Sequence, residues 1–267
     1  MLKDITLGQF FPGKTVVHRL DPRTKLILVI VYIVALFSAK HVLTYGVMLL
    51  TLCGIIAASK IKPKVILRSL KPLLFIIVLT GILNLFYTQG EPLVQIWFLT
   101  ITREGVLSAI FMVLRISMLI AGTFMLTYTT SPIALTDGLE LLLNPLKKVK
   151  VPVHELSMMM CIALRFIPTL IEETDKIMSA QKARGADFET GSLFQRAQAL
   201  IPILVPLFIS SFRRADELAV AMECRCYHGG DGRTRMKQLQ YQRNDVIAIV
   251  GGIVIMVGVM ILGHIGL

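Results

Sequence analysis

Apolar residues run along this chain in long blocks, not in the alternation of a half-buried strand or the single stripe of a surface helix. The first block is Leu26 to Ala39 and the second Val42 to Ala58. Only Lys40 and His41 separate them, which predicts a tight hairpin of two short spans. A third block extends from Pro72 to about Tyr87, a fourth from Gly105 to Tyr128 with Arg115 inside it, and a fifth from Val246 to Leu267. About 20 apolar helical residues cross a bilayer, and shorter blocks can do so with local thinning or snorkelling. The pattern predicts an all-α, polytopic membrane protein with about five transmembrane helices.

Between the fourth and fifth blocks the pattern changes. Ser131-Pro132 is a helix-start signal, a side-chain cap followed by Pro in the first turn, and Ile133, Leu135, Leu139, Leu142, Leu143 and Leu146 then fall largely on one face. A long helix is expected from about Pro152 to Ala183 and another from about Leu193 to Glu223, each apolar first and charged later. Pro168, Pro202 and Pro206 should kink these helices or release hydrogen bonds within them. Three regions follow: 1–128 with four spans, 129–245 with long cytoplasmic or interfacial helices, and 246–267 as a C-terminal transmembrane helix. The two long helices resemble copies. Asp175-Lys-Ile-Met-Ser-Ala180-Gln-Lys-Ala-Arg184-Gly185 aligns, 41 residues on, with Asp216-Glu-Leu-Ala-Val-Ala221-Met-Glu-Cys-Arg225-Cys226. Asp, Ala and Arg coincide. Gly185 and the cluster Gly229-Gly230-Asp231-Gly232 mark the helix stops.

Composition narrows the class. Of 267 residues, 55% are hydrophobic and only 17% charged, with a mean hydropathy of +0.71, which excludes disorder and an ordinary soluble enzyme. The four cysteines (Cys53, Cys161, Cys224, Cys226) are too scattered for a secreted disulfide framework, and reduced thiols are expected. The formal charge of +11 could point to nucleic acid, but its placement argues for a membrane surface. Residues 1–128 hold 13 basic and four acidic side chains, clustered between apolar blocks, and Ser59–Lys71 carries five basic residues and no acid. Five crossings put the N-terminus, the 59–71 segment and the 129–245 segment on one side. By the positive-inside bias that side is cytoplasmic and the C-terminus external. No cleavage site follows the first block, so it is not read as a signal peptide.

Chemistry is sparse. No G-x-x-x-x-G-K-[ST] loop is present, so ATP cannot be hydrolysed by this chain, and no catalytic residue, metal ligand set or cofactor is expected. His154-Glu155 begins a zinc-protease pattern that fails at Met158, and Glu172-Glu173 lacks the basic residue that the paired glutamates of intramembrane prenyl-protein proteases require at position 177. Cys224, Cys226 and His228 offer three ligands without a fourth, so small packing residues at a helix tip are the better reading. A secondary transporter needs coupling charges at mid-membrane, and only Arg115 qualifies. That arginine should face protein or snorkel, with a cytoplasmic acid as one possible partner. Met158, Met159, Met160, Met178 and Met222 are read as packing residues ahead of an adaptable partner surface. The other histidines (His18, His41, His154, His264) are read as caps or interface residues.

Arg184 and Arg225 stand out as planar donor forks on small-residue helix tips, suited to a partner's groove. Together with Leu20-Asp21-Pro22-Arg23-Thr24-Lys25-Leu26, Ala183-Arg184-Gly185 and Cys224-Arg225-Cys226, they make the whole chain resemble the transmembrane (T) component of energy-coupling factor (ECF) transporters, the ABC-type importers of vitamins and metal ions. The family's second motif is usually Ala-Arg-Gly, and here Cys224 and Cys226 flank Arg225. The resemblance implies a non-catalytic bacterial membrane subunit with two ATPase-coupling tips, Ala183, Arg184, Gly185 and Cys224, Arg225, Cys226. Each tip would dock on one of two ECF ATPase subunits (EcfA and EcfA′). A substrate-binding S component would pack on the apolar surface, and ATP-driven motion would reorient it. In this picture Asp21, Pro22, Arg23 and Lys25 form a family signature of structural kind. The two long helices are expected to cross so that their tips separate.

Overall fold

A computed structural model describes residues 10–39, 41–88, 92–96, 99–188, 192–230 and 238–265; Lys40, Asp231 and Gly232 lie outside the described residues. The elements run α1 (Val16–Arg19), α2 (Pro22–Ser38), α3 (Val42–Ser59), α4 (Pro63–Leu70), α5 (Leu74–Tyr87), β1 (Pro92–Ile96), β2 (Leu99–Thr102), α6 (Arg103–Thr129), α7 (Pro132–Leu143), α8 (Val153–Ala183), α9 (Leu193–Glu223) and α10 (Arg243–Ile265). The architecture is helical, as the blocks predict. An antiparallel β1–β2 hairpin is added in the near-neutral connection after α5, where Val94, Ile96, Thr100 and Ile101 supply β-branched residues that suit extended backbone.

Among the described residues, five stretches are long and apolar enough to cross a membrane: Val42–Ser59, Pro63–Tyr87, Arg103–Thr129, Val153–Ala183 and Arg243–His264. Four coincide with predicted blocks. The first predicted block folds as α2, 17 residues long and shorter than these. Val153–Ala183 joins the set because its apolar first half and its 31 residues extend the hydrophobic window. The basic 59–71 segment is not a plain loop. Within it α4 buries Ile66 while Lys64 and Arg68 are exposed, so a short amphipathic helix leads into α5.

The chain forms two compact units, one from the described residues of 8–139 and 239–267, the other from those of 140–238. In the first, α6 is central, with α5, α2, α3 and α4 against it and α10 against α2 and α3. Its core joins Ala35 and Leu36 of α2, Tyr45, Met48 and Leu52 of α3, Met118, Ala121, Met125 and Tyr128 of α6, and Val259 of α10. The tight α2–α3 hairpin expected from the short connection does not form as such. α2 packs on α10 and α6 instead, and an apolar cleft of about 470 Å³ separates it from α3. Glycines explain the preference. A Cβ at Gly252 would lie 2.5 Å from Leu28 Cδ2, and one at Gly122 would lie 2.7 Å from Tyr32 Cε1. The missing side chains leave room for Leu28 and Tyr32 of α2 to pack against α10 and α6.

Arg115 faces protein, as its cost in lipid requires. Its partner is not an acid. Nε donates to the Tyr45 hydroxyl at 2.8 Å and a terminal nitrogen to the Ala39 carbonyl at 3.0 Å. The guanidinium thus satisfies the C-terminal end of α2, where free carbonyls carry partial negative charge.

Candidate functional site

The second unit is built on α8 and α9. The side chain of Ser192 accepts from the Gln195 amide, and the Gln195 side chain accepts from the Ser192 amide at 2.9 Å, a capping box that starts α9. At the crossing, Glu173 of α8 accepts from the Ser210 hydroxyl and from Arg214 Nη2 at 2.6 Å, both on α9. Toward the C-terminus of α8, Gln181 Nε2 donates to the Pro202 carbonyl at 3.4 Å. That carbonyl is free because its helical donor would be the amide of Pro206, which has none. Positions that rise along α8 therefore meet positions that fall along α9, and the pair is antiparallel.

Glu173 and Arg214 are themselves equivalent under the 41-residue shift. Each copy thus meets the other at the same level, and the two C-terminal tips project in opposite directions. From Glu173 to Arg184, and from Arg214 to Arg225, each helix runs roughly 16 Å at 1.5 Å per residue. This ion pair lies at the crossing that separates the tips.

The tips share one backbone design. At the end of α8 the Gly185 amide donates to the Lys182 carbonyl and the Ala186 amide to the Gln181 carbonyl, both at 3.0 Å. At the end of α9 the Cys226 amide donates to Glu223 at 2.8 Å and the Tyr227 amide to Met222 at 3.1 Å. Both are Schellman caps, in register after the 41-residue shift, with Arg184 and Arg225 at the same cap position. Gly185 has φ +87° and Cys226 has φ +56°. The side chains of Ala183, Arg184, Cys224, Arg225 and Cys226 are exposed. Cys226 therefore takes the left-handed backbone that Gly185 takes at the first tip, at a steric cost of about 1–2 kcal/mol for a left-handed residue with a Cβ.

A measurable consequence follows for Cys226→Gly. It should relieve that strain, partly offset by the freer unfolded chain of glycine. Hydrogen exchange at the amides of residues 226 and 227 should slow about two- to fivefold, whereas Gly185→Ala should speed exchange at 185 and 186. Unchanged protection in both variants would mean the caps carry no such strain.

The signature residues lie in the other unit. Asp21 caps α2 by accepting the Arg23 amide at 2.9 Å, with Pro22 in the first turn, where its missing amide costs nothing. Arg23 returns a bidentate fork to Asp21 at 3.1 and 3.0 Å, donates to the Leu239 carbonyl at 3.0 Å, and stacks 4.1 Å over the Tyr241 ring. The Asp21 amide donates to Asp245 Oδ1 at 2.7 Å, and the Gln242 amide to Asp245 Oδ2 at 2.7 Å. Lys25 Nζ donates to the carbonyls of His18 (3.2 Å) and Thr129 (2.8 Å) and to Thr130 Oγ1 (3.1 Å). Asp21, Lys25 and Asp245 are buried. Two carboxylates and two cations thus form a balanced cluster in which each charge is hydrogen-bonded, the condition under which buried charge is tolerated. Sequence reading singled out Asp21, Arg23 and Lys25 but missed Asp245. It weighed Glu173 only as half of a rejected protease pair, whereas the side chain joins α8 to α9 through Ser210 and Arg214. The only local signal for Asp245 was an acid three residues after a helix boundary.

His154 likewise has a packing role. It pairs with Glu140 at 3.0 Å, and Gly230 lies so close that a Cβ there would fall 2.3 Å from its ring. His41 donates its amide to Thr44 Oγ1 at the start of α3.

Comparison with known proteins agrees with this architecture. Residues 13–236 match the family described as cobalt transport protein, CbiQ. The energy-coupling factor transporter transmembrane protein EcfT of Clostridium kluyveri is 55% identical over 258 residues, covering 96% of this chain and 95% of the relative. The protein of that name from Bacillus subtilis is 47% identical over 256 residues, covering 96% and 97%. That of Lactococcus lactis is 46% identical over 263 residues, covering 98% of each. With helices fit to cross a bilayer, paired arginine caps on duplicated helices and near full-length similarity, the chain belongs to the CbiQ family of multi-pass membrane proteins as a non-catalytic transmembrane component of energy-coupling factor transporters.

Proposed function

We propose that α8 and α9 are the coupling elements of this subunit, and that Arg184 and Arg225 each dock in a groove on one of two ATPase subunits. The observation that carries this reading is the identity of the two caps. The same hydrogen-bond pattern holds each guanidinium exposed at opposite ends of an antiparallel pair built from one repeated unit. A duplicated lever with equivalent tips suits a motor of two related halves. Closure of those halves on ATP moves the tips, and the helix pair passes the displacement to a substrate-binding S component, which carries a vitamin or another micronutrient.

The S component docks on apolar surface that the helices leave uncovered. Along α9, Leu200, Leu204, Val205, Phe208, Ile209 and Phe212 are all exposed, a larger apolar stripe than an isolated soluble helix carries. The N-terminus faces the cytoplasm, on the side of the basic α4 segment. The 129–245 region serves coupling, between transmembrane regions 1–128 and 246–267.

Photo-crosslinking residues placed at Ala183 and Cys224, beside the arginines, test this in the complex purified from its native membrane. Each position should crosslink to an ATPase chain. Crosslinks to lipid or to extracytoplasmic protein at both positions overturn the reading.

A further inference from the structure

Among the described residues, the chain passes between its two compact units twice, at 139/140 and at 238/239. On the membrane-helix side, both passages are fixed to one short turn. Gly138 lies against Pro22 so closely that a Cβ on it would come within 2.8 Å of Pro22 Cβ and 3.3 Å of the Arg23 amide nitrogen. Leu239, the first residue after the second passage, gives its carbonyl to Arg23 Nη2 at 3.0 Å. Three residues on, the Gln242 amide is held by Asp245, which also holds the Asp21 amide. Lys25, one helical turn along from Asp21, holds the end of α6 through Thr129 and Thr130, from which α7 and the first passage continue.

We propose that the Asp21–Lys25 turn is the anchor through which displacement of the coupling helices reaches the membrane helices, with Arg23 and Gly138 as its positioning residues. This rests on the coupling role proposed above for α8 and α9.

The chemistry fits a rigid link. Arg23 is locked by a planar fork to a buried carboxylate and by stacking on Tyr241, so it has little freedom with which to absorb a pull on Leu239. Asp21 is simultaneously the cap of α2 and the acceptor for that fork, so force on Leu239 is led through Arg23 and Asp21 into the first turn of α2. Pro22 stiffens the same turn by fixing its φ. Gly138 gives the first passage a bare backbone face against it. A loosened link leaves both units folded and the tips engaged while the stroke is dissipated. A purely structural cluster instead loses assembly and activity together.

The test uses the complete complex in proteoliposomes, comparing uptake of the tritiated vitamin that the wild-type complex accumulates with ATP hydrolysed over the same time. Arg23→Lys keeps the charge but cannot make the fork and the Leu239 bond together; Gly138→Ala pushes the first passage off the turn. Both variants should assemble and hydrolyse ATP at near wild-type rates, with vitamin delivered per ATP falling at least fivefold. An unchanged ratio in both variants overturns the proposal. So does a proportional fall of uptake, hydrolysis and recovered complex, since that marks a folding role. The double variant Arg184→Ala with Arg225→Ala separates the two readings. If it transports normally, the coupling reading fails and this one with it. If it fails to transport while Arg23→Lys and Gly138→Ala keep the wild-type ratio, only the anchor is overturned.

Discussion

Combining Arg184→Ala with Arg225→Ala should lower ATP-driven uptake at least a hundredfold, and either change alone at least tenfold. Both side chains are exposed at helix caps, and among the described residues no ion pair or side-chain hydrogen bond ties either guanidinium to its own chain. Removing them therefore leaves the fold intact, with a stability change within about 0.5 kcal/mol, as for surface positions generally. In the proposed docking, the whole effect falls on the contact with the ATPase subunits, where truncating a desolvated, paired arginine costs about 2–5 kcal/mol. At 1.4 kcal/mol per tenfold, the lower bound already exceeds an order of magnitude per tip. Lysine should rescue poorly at either site, because a point charge cannot replace a planar fork. Uptake by cells expressing the variants, normalised to membrane-inserted protein, checks this. Normal uptake by the double variant contradicts it.

The tips were legible because each signal is local. Gly185 marks the stop of α8 and the glycine cluster from Gly229 that of α9, and the observed helices end at Ala183 and Glu223. Cys226 made the second cap look different from the first, yet the hydrogen bonds show one cap. A Schellman motif demands a left-handed residue at that position, and cysteine tolerates it at a steric cost that glycine avoids. The antiparallel crossing depended on which of two adjacent glutamates faces α9. Glu172 and Glu173 are indistinguishable in a linear pattern, and only Glu173 meets Ser210 and Arg214.

Long-range pairing was the least legible. Nearness in sequence favoured an α2–α3 hairpin, but close packing favoured α10, whose Gly252 admits Leu28 from the far end of the chain. The same partnership hid Asp245, whose acceptor role for Asp21 spans 224 positions. The β1–β2 hairpin has no counterpart in the block pattern, since its segments are too short for periodicity to declare them.

Asp245→Ala should be the most destabilising single change in the signature cluster. The side chain is 1% exposed and accepts two backbone amides at 2.7 Å, from Asp21 and from Gln242. Its loss strands the buried Asp21 donor away from water, at about 1–3 kcal/mol, while the more exposed Gln242 amide turns to solvent. It also leaves the buried Lys25 and the half-buried Arg23 near one carboxylate instead of two, an imbalance of buried charge that adds to the loss. Marginal stability of about 5–15 kcal/mol leaves little margin for such a loss. The detergent-solubilised protein should therefore lose its monodisperse peak at a midpoint temperature at least 10 °C below wild type. Asp245→Asn should fall between, because its amide oxygen can serve one of the two donors while its NH2 group opposes the other. Conversely, Arg115→Leu should cost less than Asp245→Ala, since Tyr45 and the Ala39 carbonyl are each left with one unmet bond and no stranded charge. Equal midpoints for Asp245→Ala and wild type would show that the amides of Asp21 and Gln242 find other acceptors and that the cluster does not hold α2 to α10.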